Sequence, residues 1–537
     1  MTVIRWAGFE GENRAVHPKL LAESLGTLSR NQKPGRGDLR PWKAPLNAAT
    51  APAGRKTIYR MGRDTNVHYW LSWTGRVHVA RISDATDTTE RTAYTGDGVP
   101  KWTNTTMALA SAPYPTSSRP LGLPVPSSAP LITVGVAPEP EIEGTPPTME
   151  TVSYCYTWVN DMGWESAPSP PSALVERDVT AVVTVGGFGT VPSGNHQVGK
   201  VRVYRTQTGS DQFMFLREVA YGTSSTTDDN RATGETLASL TWQPPPSDLK
   251  CLTAMWNGML AGISGNSVRF CEAYVPYAWP VEYDVIPPNA KPVALGVFGQ
   301  SLLVLTDGRP LLVSGSGPDS VDQQMLDIPQ SCVAPDSVVS MGTGVAWASD
   351  DGLCFYGSGG AKIITAGLLT REDWQALKPS SVIGQMYEGL YLGSYDDGSG
   401  RKGFFIDPGN PKGVFFLDTG YTAMHLDEFR DQLFVLDGDN IKQWDAGAAM
   451  TVKARSKVYR QTKPTNFACA EVVADGYPVT FRLYADGELK HTQTVADAEP
   501  FRLPSGYRAM NFQLEVEGTH AIQAVLMGQS MAELATA

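Results

Sequence analysis

The chain has 537 residues, too many for one hydrophobic core, and its 53 glycines, 39 prolines, 13 tryptophans and 20 tyrosines favour strands joined by turns. Six scattered cysteines without a C-x-x-C pair argue against a zinc site or a disulfide framework, and a net charge of −11 argues against a protein that wraps nucleic acid. No apolar run approaches the roughly 18 residues of a membrane span, and the N-terminus lacks a signal-peptide core, so we expect a soluble protein made in the cytoplasm.

Residues 1–50 are predicted to form a basic docking segment. Residues 1–63 carry 12 basic and four acidic side chains, a net charge of +8, whereas the remaining residues carry −19. This asymmetry suits docking onto an acidic partner or a neighbouring copy; the alternative is a solvated segment that only keeps the protein soluble. The candidate docking residues share one predicted loop region: Arg30, Lys33, Arg36 and Arg40. Before this loop, Pro18 and four leucines at helical spacing predict a short helix: Leu20, Leu21, Leu25 and Leu28.

Two connecting regions follow. Residues 51–110 contain the strands TIYRM, VHYWLSW and RVHVARI, which predict a hairpin around Thr74 and Gly75 that completes a ring of later repeats. Residues 111–149 contain ten prolines, a density that neither a sheet interior nor a helix accepts. We expect this second region to be an extended strap.

Residues 150–246 are predicted to be a small antiparallel sandwich. The segment YCYTWVNDMGWESAPSPPS begins with alternating residues typical of a strand, continues through a glycine-containing turn and ends in a proline-rich stretch. The segments KVRVYRTQ and FMFLREVA are expected to form a second pair of strands around Gly209. The fold class predicted for the whole chain is all-β: a β-propeller-like body, this inserted fibronectin III/Ig-like sandwich, and a C-terminal β-sheet domain.

Residues 247–450 repeat one pattern five times, with three apolar strands separated by turns. The residues before the second strands are spaced by 42, 44, 45 and 43 positions: Gly258, Gln300, Gly344, Gly389 and Gln432. A period of about 40 to 50 residues with several strands indicates propeller blades, and the alternative is a run of hairpins in a sandwich. Thr370 and Asp373 also predict a capped helix within the repeats.

Residues 451–537 alternate with a period of two around Asp486-Gly487 and Glu517-Gly518 turns, which predicts a C-terminal β domain.

Each motif in the chain that resembles an enzyme or metal site lacks a residue or a structural context that the chemistry requires. Gly194 to Lys200 satisfies G-x-x-x-x-G-K, but Val201 stands where a P-loop has Ser or Thr, and a strand follows instead of a helix. Asp437 to Asn440 and Asp396 to Gly398 lack the acidic spacing and terminal Glu of a calcium loop. We therefore expect no catalytic, cofactor-binding or metal-binding residues, and no enzyme activity.

Several motifs taken in order resemble the tail-tube nozzle or hub proteins of short-tailed bacteriophages. They are F-x-G-x-N with LLAESLGTLSRNQKPGRGDLRPWKAP, RTAYTGDGVPKWTN, YCYTWVNDMGWESAPSP with VRVYRTQTG, and the repeat segments NGMLAGISGNSVRFCE, SLLVLTDGRPLLVSG and DDGLCFYG. The resemblance implies a virion protein, assembled in the host cytoplasm, that forms a homo-oligomeric ring, expected to be a hexamer. The ring would contact adjacent tail or adaptor proteins, and DNA would pass through it during ejection without sequence recognition.

Two functions follow from these observations. In the first, the chain is a structural tail component, and its acidic body lets DNA slide because phosphates are not bound. The alternative is a receptor- or glycan-binding tail protein, or a depolymerase, because propellers host glycan sites and tryptophans supply stacking surfaces. A depolymerase needs a carboxylate pair in a cleft, whereas a nozzle does not.

Overall fold

The computed structural model describes residues 3–63, 67–139, 144, 146–315 and 321–535. The chain is nearly all β, with 45% strand and 4% helix. Within the described residues the α-helices are α1 (Thr105–Ala108), α2 (Arg371–Ala376) and α3 (Met531–Leu534). Two compact units are formed, one from Met1–Thr74, Val293–Leu312 and Gln323–Ala537, the other from Gly75–Pro292 and Val313–Asp322.

The N-terminal strands belong to several different sheets. They are β1 (Val3–Ala7), β2 (Gly26–Arg30), β3 (Gln32–Lys33), β4 (Arg40–Pro41), β5 (Leu46–Thr50), β6 (Thr57–Met61), β7 (Tyr69–Trp73), β8 (His78–Arg81), β9 (Thr92–Thr95), β10 (Lys101–Thr103) and β11 (Arg119–Pro120). β3 pairs with β4, β6 pairs with β7, and β8 to β11 form one four-stranded sheet. The predicted hairpin around Thr74 and Gly75 is therefore wrong, because the strands on either side of that turn pair elsewhere.

The predicted helix after Pro18 is also wrong, because turns lead directly into β2. The leucines do not share one buried face: Leu21 is 2% exposed, Leu20 is 76% exposed, and Leu28 lies on β2. The spacing of the leucines matched a helix, but in the structure Leu21 is buried, Leu20 is exposed and Leu28 belongs to a strand.

The inserted fibronectin III/Ig-like sandwich begins before the predicted boundary, since its first strand starts at Leu131. Its strands are β12 (Leu131–Val134), β13 (Met149–Val152), β14 (Tyr154–Asn160), β15 (Val175–Asp178), β16 (Val183–Gly186), β17 (Val198–Arg205), β18 (Met214–Ala220) and β19 (Ser225–Asp228). They form the sheets β12-β16-β19, β14-β17-β18 and β13-β15. Aromatic residues of β14 pack against valines of β16 and β17 in its core. The predicted pairing of KVRVYRTQ with FMFLREVA is confirmed by β17 and β18.

All five repeats have the three strands expected from the sequence. The strands are β20 (Lys250–Ala254), β21 (Leu260–Ser264), β22 (Ser267–Phe270), β23 (Pro292–Phe298), β24 (Ser301–Thr306), β25 (Leu311–Ser314), β26 (Asp322–Met325), β27 (Val339–Ser340), β28 (Gly344–Ala348), β29 (Leu353–Gly357), β30 (Gly360–Ile363), β31 (Ile383–Tyr387), β32 (Leu390–Asp396), β33 (Arg401–Ile406), β34 (Phe415–Leu417), β35 (Ala423–Asp427), β36 (Gln432–Asp437) and β37 (Asn440–Gln443). Successive sheets of the first unit share buried apolar clusters, which is the packing of propeller blades.

The last repeat gains its fourth strand from the N-terminal region. β5 pairs antiparallel with β37, and Ala49 lies opposite Ile441. The β6–β7 pair packs against the same repeat through Ile58 and Trp70. The strand that extends the last repeat thus lies within residues 1–50, ahead of the hairpin region expected to do so.

The C-terminal domain is the predicted β-sheet structure. Its strands are β38 (Val452–Ser456), β39 (Tyr459–Thr465), β40 (Cys469–Ala474), β41 (Val479–Ala485), β42 (Glu488–Val495), β43 (Phe501–Arg502), β44 (Ala509–Gly518) and β45 (Ile522–Gly528). β1 joins it, because Val3 to Ala7 pair with Gly528 to Ala524 of β45. Its core includes Trp6 and Phe9 of the N-terminal segment.

The capping box predicted at Thr370 is confirmed. The Thr370 hydroxyl accepts from the Asp373 N–H, and α2 follows with Trp374 buried. All six cysteine side chains are free and buried. Among the described residues, no helix is long and apolar enough to cross a membrane.

Candidate interaction site

The predicted docking segment is built into the first unit rather than hanging from it. Glu12 exchanges two backbone hydrogen bonds with Val414, at 2.9 Å each. β2 lies between β34 of the fourth repeat and β38 of the C-terminal domain. The segment therefore joins repeats to the C-terminal domain by main-chain pairing.

The F-x-G-x-N motif forms part of this attachment. The Phe9 N–H donates to the Gly37 carbonyl, and the buried Asn13 side chain donates to the Gly367 carbonyl. Gly11 has a φ of +95°, and a Cβ there would lie 3.1 Å from the Phe415 ring. Glycine is required here by both the backbone conformation and the close approach.

Glu12 is the buried charge at the centre of the segment. Its carboxylate is 2% exposed and lies 2.5 Å from Arg14 Nε and 2.7 Å from Arg30 Nη1. The Ser29 N–H also donates to it. Both guanidinium groups lie over the Phe416 ring, 4.5 and 5.1 Å from its centre. A buried carboxylate is tolerated because two cations and a backbone donor satisfy it.

Lys33 is likewise held by carboxylates of its own chain. Its Nζ lies 2.8 Å from Asp445 and 2.9 Å from Glu388, and 4.4 Å from the centre of the Trp42 ring. Asp445 also accepts from the Lys43 N–H. This cation therefore fixes β3 against the fourth and fifth repeats.

The other two candidate docking residues face different surroundings. Arg40 lies on β4, where its Nε is 3.6 Å from Asp38. Arg36 is exposed at the tip of the loop between β3 and β4, and no ion pair to it occurs in the part of the chain that the structure describes. The four cations thus lie on β2 and on the β3–β4 hairpin that follows it, and they do not form one free basic patch.

A cleft of about 390 Å³ lies beside this loop, within the first unit. Four stretches of chain line it: Phe9, Glu10, Pro34, Gly35, Gly37, Glu388, Leu390, Asp407, Asn410, Lys412, Gly413 and Phe415. Glu10 contacts Lys412 at 2.5 Å, and the hydrogen bond from this ammonium group lowers the pKa of the Glu10 carboxyl. Glu10 therefore remains ionised near neutral pH and is unsuited to act as a general acid.

The P-loop-like sequence has the strand context expected from the sequence. Lys200 lies on β17, and its ammonium group is 2.6 Å from Glu218. The possible calcium loops are turns: Asp437 pairs with Lys442, and Asp397 pairs with Lys402. Within the described ranges, no three His, Cys, Asp or Glu residues are arranged to hold a metal ion.

Sequence reasoning missed the acidic partners of the N-terminal cations. Glu12 occupies a variable position of F-x-G-x-N, and Glu388 and Asp445 lie more than 350 positions further along. The imbalance of charge between residues 1–63 and the rest of the chain was the available signal. It indicated an acidic partner without indicating that the partner belongs to the same chain.

No family model and no curated protein matches this chain. Among solved structures, the WD40 domain of Neurospora crassa Pan2 is 8% identical with a TM-score of 0.26, covering 50% of this chain and 86% of that one. The WD40 domain of Toxoplasma gondii coronin is 10% identical with a TM-score of 0.23, covering 62% of this chain and 79% of that one. The structure of YCF48 bound to D1 peptide is 10% identical with a TM-score of 0.29, covering 75% of this chain and 95% of that one.

Proposed function

We propose that this chain is a structural subunit of a short-tailed phage tail, a nozzle or hub protein that assembles into a homo-oligomeric ring. The ordered motifs described above support this proposal, together with the use of one of them, F-x-G-x-N, as a structural attachment. The observation that carries the channel role is the charge distribution. The net charge is −11, and Arg14, Arg30 and Lys33 are paired with carboxylates of their own chain, so these cations are not free to bind phosphates.

An acidic subunit suits a conduit for DNA. Phosphates are repelled from an acidic wall, and a polymer that is not bound moves without stalling. Arg36 is the docking residue we propose for the contact with an adjacent tail protein or a neighbouring copy, because the other candidates are engaged internally. The protein acts in the virion and carries out no catalysis in this role.

The assembly state is the first test. We expect purified full-length protein, or protein concentrated to virion-like density, to form a closed ring visible by electron microscopy, with a matching mass by native mass spectrometry. A gel-shift titration with duplex DNA at low salt should show no tight binding. A chain that is monomeric both in solution and in the particle would contradict the proposal.

The docking role of Arg36 has its own test. Arg36→Ser should weaken incorporation into particles while leaving the fold intact, and Arg371→Ser is a matched control in which an exposed arginine on α2 is removed. Incorporation that is unchanged at physiological salt would show that Arg36 only adds solubility.

A further inference from the structure

The cleft beside the β3–β4 loop has hydrogen-bonding groups that its own chain does not use. Glu388 Oε1 accepts from Lys33, and Asp407 Oδ1 accepts from the backbone N–H groups of Gly409 and Asn410. The second oxygen of each carboxylate has no hydrogen-bond partner among the described residues. Asn410 and the half-exposed Lys412 add donors at the same cleft.

The charges of the cleft limit the class of ligand. Glu10 is paired with Lys412, but Lys33 is shared between Glu388 and Asp445, so the charge of Glu388 is only partly balanced and that of Asp407 has no cation beside it in the described part of the chain. A slight negative excess disfavours phosphates and other anions. The free groups are mainly acceptors with a few donors, a combination that neutral hydroxyl groups satisfy because each hydroxyl both donates and accepts.

The floor of the cleft is apolar and fixed in place. Phe9 and Phe415 are 4% and 7% exposed, and Leu390 lies beside them. The Gln32 side chain donates to the Phe9 carbonyl, and the Phe415 ring packs against Gly11. Small-molecule sites combine such an apolar surface with a few placed polar groups, and a volume of about 390 Å³ is within their usual range.

We propose that this cleft binds a neutral saccharide unit, with the free oxygens of Glu388 and Asp407 accepting from its hydroxyl groups and the apolar floor contacting its C–H face. This inference goes beyond the structural role proposed above and does not depend on ring formation. It assigns binding only, because no step of bond cleavage is required of these residues.

The test uses the full-length chain and a panel of neutral monosaccharides: glucose, galactose, mannose and N-acetylglucosamine. Saturation-transfer NMR and calorimetric titration to about 20 mM detect the millimolar binding expected of a single sugar. Asp407→Asn and Glu388→Gln keep side-chain size and one acceptor oxygen, so the loop cap and the Lys33 contact survive. We expect each to weaken binding at least about tenfold with an unchanged melting temperature.

Asp497→Asn is the matched control, since Asp497 also accepts from the backbone two residues along but lies outside the cleft. It should bind sugar as the wild type does. The proposal is overturned if no sugar of the panel binds the wild type, or if both cleft variants bind as tightly as the wild type. Tighter binding of glucose 6-phosphate than of glucose would equally overturn it, because the cleft would then be an anion site. Each result is independent of the mass measurement that tests the ring.

Discussion

Two arginines of the same hairpin region differ in what they stabilise. Arg30 is one of two cations on the buried Glu12 carboxylate, whereas Arg36 is exposed. Arg30→Ser should lower the free energy of unfolding by about 2 to 3 kcal/mol, because a buried carboxylate loses a partner. Arg36→Ser should change it by less than about 0.5 kcal/mol. Urea unfolding followed by tryptophan fluorescence compares the two variants, and equal effects would contradict the arrangement.

This contrast affects how docking is tested. Replacing Arg30, Lys33, Arg36 and Arg40 together would weaken the fold as well as any interface, because Arg30 and Lys33 hold carboxylates of their own chain. A loss of tail attachment in that variant would therefore have two explanations. A loss of tail attachment caused by Arg36→Ser alone would have one explanation, the loss of the interface contact.

His425 gives the first unit a specific pH dependence. It lies 5.0 Å from Tyr59 and 6.0 Å from Trp70 between ring centres, and burial lowers its pKa to about 4. In the unfolded chain the imidazole of His425 is protonated with an ordinary pKa near 6.5, so the folded state binds fewer protons than the unfolded state between about pH 6.5 and the lowered pKa. The stabilisation of the folded state by neutral, buried His425 is complete above about pH 6.5 and is lost as the pH falls towards 4.

We expect this loss to be about 1 to 2 kcal/mol, since part of the ring remains in contact with solvent. His425→Phe keeps the ring contacts and should flatten the stability profile between pH 6.5 and pH 4. His17→Phe, at an exposed turn, should leave that profile unchanged. A His425→Phe profile parallel to that of the wild type would contradict the assignment.

At the scale of elements, three serines cover the free edge of β14. Ser166, Ser169 and Ser172 donate their N–H groups to the carbonyls of Trp158, Tyr156 and Tyr154, and each hydroxyl accepts from the N–H of the same strand residue. The proline-rich sequence SAPSPPS thus satisfies a strand edge without being a regular strand, because serine side chains supply the acceptors.

Ser169→Ala removes one of these acceptors at a buried position. The Tyr156 N–H, which donates to it over 3.1 Å, is then left unpaired. We expect the sandwich to lose about 1 to 2 kcal/mol of stability. Hydrogen exchange should show faster exchange at Tyr156, whereas Ser210→Ala in an exposed turn should leave exchange there unchanged. Protection of Tyr156 that survives the Ser169 substitution would contradict this role.

The elements that could be predicted are those whose signal is local. The strands of each repeat lie within a few residues of their partners, so alternation and Gly or Asp turns were sufficient to predict them. The capping box at Thr370 is similarly local. The helix after Pro18 was mispredicted because exposed Leu20 and buried Leu21 match helical spacing without sharing a helix.

At the scale of the molecule, the unpredicted features join distant parts of the chain. The pairings of β1 with β45 and of β5 with β37 span several hundred residues, and no single-sequence pattern specifies a partner at that distance. The candidate site could not be predicted from the sequence for the same reason. The cations were visible in the sequence, but the cleft exists only because segments near residues 9, 35, 388 and 410 meet in the fold.

Residues 1–50 are therefore expected to be essential for folding rather than a removable docking arm. Their deletion would remove one paired neighbour from each of β45, β38 and β37, which leaves an open edge on each strand, and would remove Trp6, Phe9 and Trp42 from buried clusters. Open sheet edges next to exposed apolar surface favour aggregation. Size-exclusion chromatography and circular dichroism should show aggregated protein without a cooperative transition for the first unit.

A circular permutant supplies the matched control, because it cuts the same segment but keeps every strand. Val3 lies opposite Gly528, so a short Gly/Ser linker from residue 535 to residue 3 spans little distance, and new ends fit in the exposed loop at Gly35 and Arg36. We expect the permutant to be soluble, with a melting temperature near that of the wild type. A deletion variant as soluble and cooperative as the permutant would show instead that the N-terminal segment is peripheral, as its charge alone suggests.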